Sequence, residues 1–429
     1  MKSVNVVTLG CAKNIVDSEH LMGRIAAQGF DVVFESDAPS DIVIINTCGF
    51  ILDAKQESIE TILSFAEAKK RGDISQIYVM GCLSQRYRDE LTAEMPEIDG
   101  FFGVNDISSV IEAVGADSRK SLVGERKLTT PSHYAYLKIS EGCDRGCGYC
   151  AIPLIRGRHR SVPMEELLEE AEILAKGGVK ELIIIAQDTT YYGLDLYGRR
   201  RLGELLRGLC RIDALEWIRL HYAYPASFPE DVIEAMRDEP KICKYLDIPF
   251  QHISDNILSA MRRGHNRVQA MELIRKLRAE IPDIALRTTL LVGYPGETAQ
   301  DFDELMRFVE EVKFNRLGVF PYSEEEGTYS ALNLTDDVPQ EVKERRAERI
   351  MEAQMDISLA HNTALVGTLQ RVIIDRREND RWIGRTQYDS PEVDQDVHVS
   401  SPGPLQPGQM INVRITGAGD YEIFGEVSE

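Results

Sequence analysis

The chain has 429 residues, 43% apolar and 28% charged, a balance that excludes a disordered or fibrous protein and leaves room for two or three globular domains. Its 49 basic residues face 70 acidic ones, a net charge of −21, so direct nucleic-acid binding is not expected, although a local basic face stays compatible with that average. The longest apolar runs, 42–45 and 182–186, are strand-sized, far short of the ~20 residues that cross a bilayer, and the start shows no basic stretch followed by an apolar core. A cytoplasmic chain without a membrane partner is therefore expected.

Residues 1–128 alternate strand and helix patterns. Apolar runs at 4–9, 32–34, 42–45, 77–80 and 101–104 read as strands. Helical periodicity fills 16–27, 54–68 and 86–94. This alternation predicts an open parallel α/β sheet. Cys11, Cys48 and Cys82 each follow a predicted strand directly. Ligands bind at the carboxyl ends of such strands, so three cysteines distant in sequence are candidates to converge there. Residues 122–131 are polar and read as a linker.

From 129 to 362 a second alternation runs. Its predicted strands are 134–139, 182–186, 217–222, 245–248, 286–292 and 317–320, and its predicted helices are 165–175, 202–210, 231–236, 267–279 and 298–312. Six strands with intervening helices suggest a partial (β/α)6 barrel, with its site at the carboxyl ends of the strands. A charged helical stretch at 339–363 follows. Residues 363–429 change period: short strands at 369–374, 382–385, 397–399, 410–415 and 422–427, separated by Gly, Pro and Asp, predict a small all-β module.

The chain has eight cysteines. Disulfides are not expected in the cytoplasm, so grouped cysteines point to metal or catalysis. Cys210 and Cys243 stand alone and read as small buried hydrophobes. The other six form two triads. In Ser140-Glu141-Gly142-Cys143-Asp144-Arg145-Gly146-Cys147-Gly148-Tyr149-Cys150 the Cys-x3-Cys-x2-Cys spacing puts three thiolates on one loop, enough to hold three corners of a four-iron cubane and leave the fourth iron open. Structural zinc is the alternative, but it needs a fourth ligand.

This loop, with the aromatic Tyr149 before its last cysteine, resembles the signature of the radical S-adenosylmethionine superfamily. The resemblance implies that S-adenosyl-L-methionine chelates the open iron and is cleaved by one electron to a 5′-deoxyadenosyl radical. Gly10-Cys11-Ala12-Lys13-Asn14 with Asp17-Ser18-Glu19, Asn46-Thr47-Cys48-Gly49-Phe50 and Gly81-Cys82-Leu83-Ser84-Gln85-Arg86 extend the likeness to the methylthiotransferase family. Membership implies that Cys11, Cys48 and Cys82 hold a second four-iron cluster carrying the sulfur to be inserted, and that the β module is a TRAM domain that recognises substrate. It also implies an electron donor and a sulfur donor.

Two branches of that family compete. One modifies a transfer-RNA adenosine. The other modifies the β-carbon of an aspartate in small-subunit ribosomal protein S-twelve. The segments Gly10 to Asn14, Ile152-Pro153-x-x-Arg156-Gly157, Ala186-Gln187-Asp188-Thr189-Thr190 and Gly384 to Asp394 are similar to the second branch. From residue 363 on there are six arginines, no lysine and eleven acidic residues, a poor balance for RNA and a suitable one for a basic protein, unless it is only a solvated acidic face. One departure stands out: Ser161-Val162-Pro163 follows Arg160, where the family commonly has a second arginine after the serine. A rival from another class is a zinc-stabilised, non-catalytic ribosome-binding protein.

Further candidates sit at predicted strand ends. Gln187 and Asp188 are candidates to grip the cofactor's amino group, with strand-end capping as the alternative. Gly293 and Glu297 of the Gly293-Tyr294-Pro295-Gly296-Glu297 turn are candidates to approach its nucleoside. His221 and His252 read as substrate contacts or structural histidines. Arg156 and Arg160 read as holders of the cofactor carboxylate or as surface ion pairs.

Overall fold

A computed structural model of the chain describes residues 2–120 and 125–428. Of the predicted linker, Leu122, Val123 and Gly124 lie outside the described residues. Three β systems follow one another. The first is a parallel sheet in the order Asp31–Phe34, Ser3–Thr8, Ile42–Thr47, Gln76–Gly81, Gly100–Phe101. Helix Ala12–Ala26 covers one face and helix Leu52–Arg71 the other, each over its own apolar core. The strand order reverses between Ser3–Thr8 and Ile42–Thr47, and an open sheet presents its ligand crevice at such a switch point. The last predicted strand shrinks to two residues. The predicted helix at 86–94 is two short helices, Cys82–Arg86 and Arg88–Glu94, so Cys82 opens a helix rather than sitting in a loop.

The second system is a six-stranded open sheet in the order Arg316–Pro321, Ala285–Val292, Ile242–Asp247, Trp217–Leu220, Glu181–Ile185, Tyr134–Lys138. Its five neighbour pairings are parallel, as crossover helices require. Alternation along the strands sends Leu137, Ile184, Leu220, Leu246 and Leu286 outwards into the helix-facing core. The inward set is mixed: Tyr134, Tyr136, Ile183 and Ile185 pack against Ala12, Ile15 and Val16 of the N-terminal helix. The first domain is thereby laid against the inside of the second.

The third system is a closed five-stranded barrel of Leu369–Glu378, Arg381–Thr386, Asp396–Ser400, Glu422–Val427 and Met410–Ala418. It is reached through helix Gln340–Leu365. Its Ile373 and Met410 pack with Trp217, Cys243 and Tyr245 across the floor of the open barrel. The segment after Thr386 follows them in: Asp389, Ser390 and Gln395 are buried. Arg316 pairs with Asp389, Arg287 with Asp394, and Ser390 Oγ meets His221 Nε2 at 2.9 Å. A row that reads as acidic surface is therefore partly interior. Asp375, Asp389 and Asp394 are spent on internal ion pairs, which makes this module's outer face less acidic than its composition. No helix among the described residues is long and apolar enough to cross a membrane.

Candidate active site

The two cysteine triads stand at carboxyl ends of strands in different sheets. Cys11 precedes helix Ala12–Ala26, Cys48 follows Ile42–Thr47, and Cys82 follows Gln76–Gly81. Those three strands are neighbours, so the triad is gathered by sheet order alone. Asn14 closes the gap between the first two ends, its Nδ2 donating to the carbonyls of Leu9 at 2.8 Å and Thr47 at 3.1 Å. Ser58 Oγ holds Cys48 at both its backbone N–H and its carbonyl. The approach is close enough to require glycine: a Cβ on Gly10 would stand 2.8 Å from Cys48 Sγ, and one on Gly49 would stand 2.6 Å from the Leu83 nitrogen.

The second triad hangs on one loop after strand Tyr134–Lys138. Burial pushes the thiols of Cys143 and Cys150 up to about 11 and about 12, and that of Cys82 in the first triad to about 11. Buried thiols ligate only after releasing their protons, so loading of either site is coupled to proton release. Among the described residues no three His, Cys, Asp or Glu side chains converge on a position for a single ion.

Cations surround both triads. Arg263 Nη1 lies 3.4 Å from Cys147 Sγ and 3.3 Å from the Tyr149 hydroxyl, and its guanidinium lies over the Tyr224 ring. Arg145 lies over Tyr224 from 4.1 Å and pairs with Asp188. At the first triad Arg156 Nη2 lies 3.6 Å from Cys82 Sγ and 2.5 Å from Asn14 Oδ1. Its Nη1 meets Asp17 at 3.2 Å and both oxygens of Glu141 at 2.9 Å. Lys138 pairs with the same two carboxylates. Burial alone would raise Glu141, but Lys138 and Arg156 beside it hold it at about 2.

The remaining candidates separate. Gln187 Nε2 donates to Glu141 at 2.8 Å, while its Oε1 is buried with no partner among the described residues, an acceptor open to a ligand. Asp188 takes the capping alternative, bonding Thr190 at its N–H and hydroxyl as well as Arg145. Gly293 and Glu297 serve their own turn: Glu297 Oε2 accepts from the Gly293 N–H at 2.6 Å, and its Oε1 pairs with Arg346. Lys343 fills the side of Gly293 that a Cβ would occupy, so a helix side chain and not open space covers that glycine. Arg156 is no surface pair, being 2% exposed, while Arg160 lies at the surface and donates to the neutral Asn105 Oδ1 at 2.8 Å, a hydrogen bond and not an ion pair. His221 and His252 are structural, bonded to Ser390 and to the Ser254 N–H, and burial lowers both to about 3. Cys243 lies in the core beneath the barrel, and Cys210 packs partly buried against the helix-facing core. Ser161 and Val162, where the second arginine is missing, are taken up by Asp195 and by the outer core. Arg263 and Tyr224 carried no sequence signal, and Arg145 lay inside the quoted cysteine loop with nothing to mark it. Asn14, Asp17 and Glu141 lay inside the quoted motifs, but nothing there tells which way they point.

A chain with this open parallel barrel, a three-cysteine loop after its first strand and a second triad on a preceding sheet is a radical S-adenosylmethionine enzyme with an additional cysteine site. The sequence profile of the radical SAM superfamily matches residues 137–309, that of uncharacterized protein family UPF0004 matches 3–103, and that of the TRAM domain matches 366–427. The chain belongs to the family of ribosomal protein uS12 methylthiotransferases, RimO: it is 53% identical to that protein of Christiangramia forsetii over 99% of this chain and 94% of the relative. It is 50% identical to that of Bacteroides thetaiotaomicron over 99% and 98%. In fold it is similar to the radical S-adenosylmethionine methyltransferase TsrM of Kitasatospora setae, with a TM-score of 0.57 at 14% identity over 77% of each chain.

Proposed function

We propose that this chain transfers a methylthio group to the β-carbon of an aspartate in ribosomal protein uS12. The observation that carries the reading is the bridge between the triads. Arg156, six residues after Cys150, touches Cys82, and Glu141, two residues before Cys143, binds the same guanidinium. Two cysteine sites joined through one buried side chain suit a reaction whose parts must meet. Full-length relatives named for uS12 supply the substrate.

In this reading Cys143, Cys147 and Cys150 hold one four-iron cluster, and Cys11, Cys48 and Cys82 hold the other. When bound, the first supplies the electron that cleaves S-adenosylmethionine and the second supplies the sulfur to be transferred. The chain's own residues do the rest. Gln187 Oε1, the free buried acceptor, takes the cofactor's amino group. Arg263 and Arg145 place positive charge beside the Cys143 loop, where thiolates and cluster concentrate negative charge. Tyr149 backs that loop through its contact with Arg263. Helix Ala12–Ala26, packed on the inner strands, seats the first triad against the barrel that carries the second. An electron donor and a sulfur donor are the remaining partners, and the reaction belongs in the cytoplasm, where ribosomes are.

The test is the intact mass of uS12 from cells with and without the gene, beside nucleoside analysis of their transfer RNA. Gain of one methylthio group only with the gene is expected. An unchanged uS12 with a lost methylthioadenosine would move the activity to transfer RNA.

A further inference from the structure

Arg156 is 2% exposed and touches Cys82 of the first triad, while on the side of the second it binds Glu141 and no cysteine. It belongs to the short helix Ile152–Arg156, which packs Ile155 and Ala151 against Cys82. Four charged groups meet there: Arg156, Lys138, Asp17 and Glu141, two of each sign. The guanidinium is spread over four partners. One fork binds the carboxylates, and the other reaches Asn14 and the Cys82 sulfur. Lysine could not reproduce this, because a point charge lacks the second fork. Arg263 stands in the matching relation to Cys147, 3.4 Å away, so each triad has one arginine at one sulfur.

We propose that Arg156 is a positioning residue that sets the reduction potential of the group held by Cys11, Cys48 and Cys82, through its N–H contact to Cys82 and its charge. The proposal rests on the two-cluster reading above. Hydrogen bonds to ligating sulfurs and nearby positive charge stabilise the reduced, more negative state and raise the potential. Removing the arginine leaves two carboxylates against one lysine, which pushes the potential down by both routes. The barrel cluster has Arg263 beside it, and its potential is set there.

The test compares the full chain with Arg156→Lys and Arg156→Gln, each reconstituted anaerobically with iron and sulfide, by iron content and redox titration followed by electron paramagnetic resonance. To read one cluster at a time, each is also made with the three barrel cysteines, or the three N-terminal ones, replaced by alanine. Arg156→Gln is expected to move the N-terminal cluster to a more negative potential and Arg156→Lys to move it less, with the barrel cluster unmoved in both. Glu141→Gln, which removes a negative charge and keeps the arginine, is expected to move it the opposite way, and it decides the matter if Arg156→Gln does not load. An unmoved N-terminal cluster at full iron content would overturn the proposal, as would an equal shift of both clusters. An unsubstituted chain holding about four iron atoms instead of about eight would overturn the two-cluster reading along with it, a result separable from an unmoved potential at full loading.

Discussion

The two triads hold the same residue type in two different ways. Cys143, Cys147 and Cys150 sit on one loop, within eight residues, and need only that loop's backbone to come together. Cys11, Cys48 and Cys82 span 72 residues and meet only because three parallel strands lie side by side, with Gly10 and Gly49 leaving room for the approach. One site is a property of local sequence, the other of a folded sheet. Damage to the sheet should therefore remove the second and spare the first.

The sharpest cut is at the loop itself. Cys143→Ala is expected to abolish reductive cleavage of S-adenosylmethionine altogether, read as 5′-deoxyadenosine by chromatography. Residual cleavage at the parent rate would mean that the local triad is not the cofactor site. Next comes a lesion remote from both triads. Arg385→Ala takes one cation from Glu181, which keeps Arg219, and from Asp375, which keeps His133, in the interface beneath the barrel. Breaking a buried pair from one side costs ~3–5 kcal/mol, an upper bound where a second partner stays. Thermal unfolding should fall accordingly, while the chain folded in the cold keeps both triads loaded. Selective loss of one cluster there would break the comparison.

Gly49→Ala sharpens it directly. The added methyl meets Leu83 backbone between Cys48 and Cys82, an overpacking worth ~1–3 kcal/mol. Iron content is expected to fall by about half, with cleavage of S-adenosylmethionine retained, because only the sheet-assembled site is disturbed. Equal loss from both sites would show the triads to be interdependent.

A pH effect of similar or smaller size is expected at the β module. Burial raises Asp375, but Arg385 and His133 overcome it and hold the carboxyl at about 2, below the usual 3.8. A depressed carboxylate contributes stability above its unfolded value and loses it as pH falls through the folded one. The window is therefore pH 4 to 2, and the contribution is about 2 kcal/mol. Denaturant unfolding of Asp375→Asn should lose part of the parent's slope across that window, and identical slopes would contradict the assignment. Arg160→Ala, at the surface, should change stability by no more than ~0.5 kcal/mol and leave both clusters in place. A larger loss would give that arginine a role its single bond to Asn105 does not supply.

The same contrast explains how much was legible in the sequence. The loop triad is readable from spacing. The sheet triad is readable because each cysteine directly follows an apolar run, and a parallel sheet aligns such ends. Strand positions in both α/β regions followed from period, with Phe101–Val104 too long and Cys82 wrongly left outside a helix. What period does not carry is the reach of long side chains between domains. Arg156 read equally as a surface pair or a cofactor clamp, yet it is buried between the triads. Asp389 and Asp394 read as acidic surface, yet Arg316 and Arg287 draw them into the barrel floor. Glu297 read as a cofactor contact, yet its own turn and Arg346 consume it. Each of these depends on a partner more than 40 residues away, apart from the turn itself.

The most direct test of the account is a single-turnover reaction of Cys48→Ala with S-adenosylmethionine, reductant and small ribosomal subunits, scored at once for 5′-deoxyadenosine and for methylthio-uS12. The account predicts cleavage without transfer, because the loop triad is intact and the sheet triad is broken. Methylthio-uS12 formed at the parent level by this variant would contradict it.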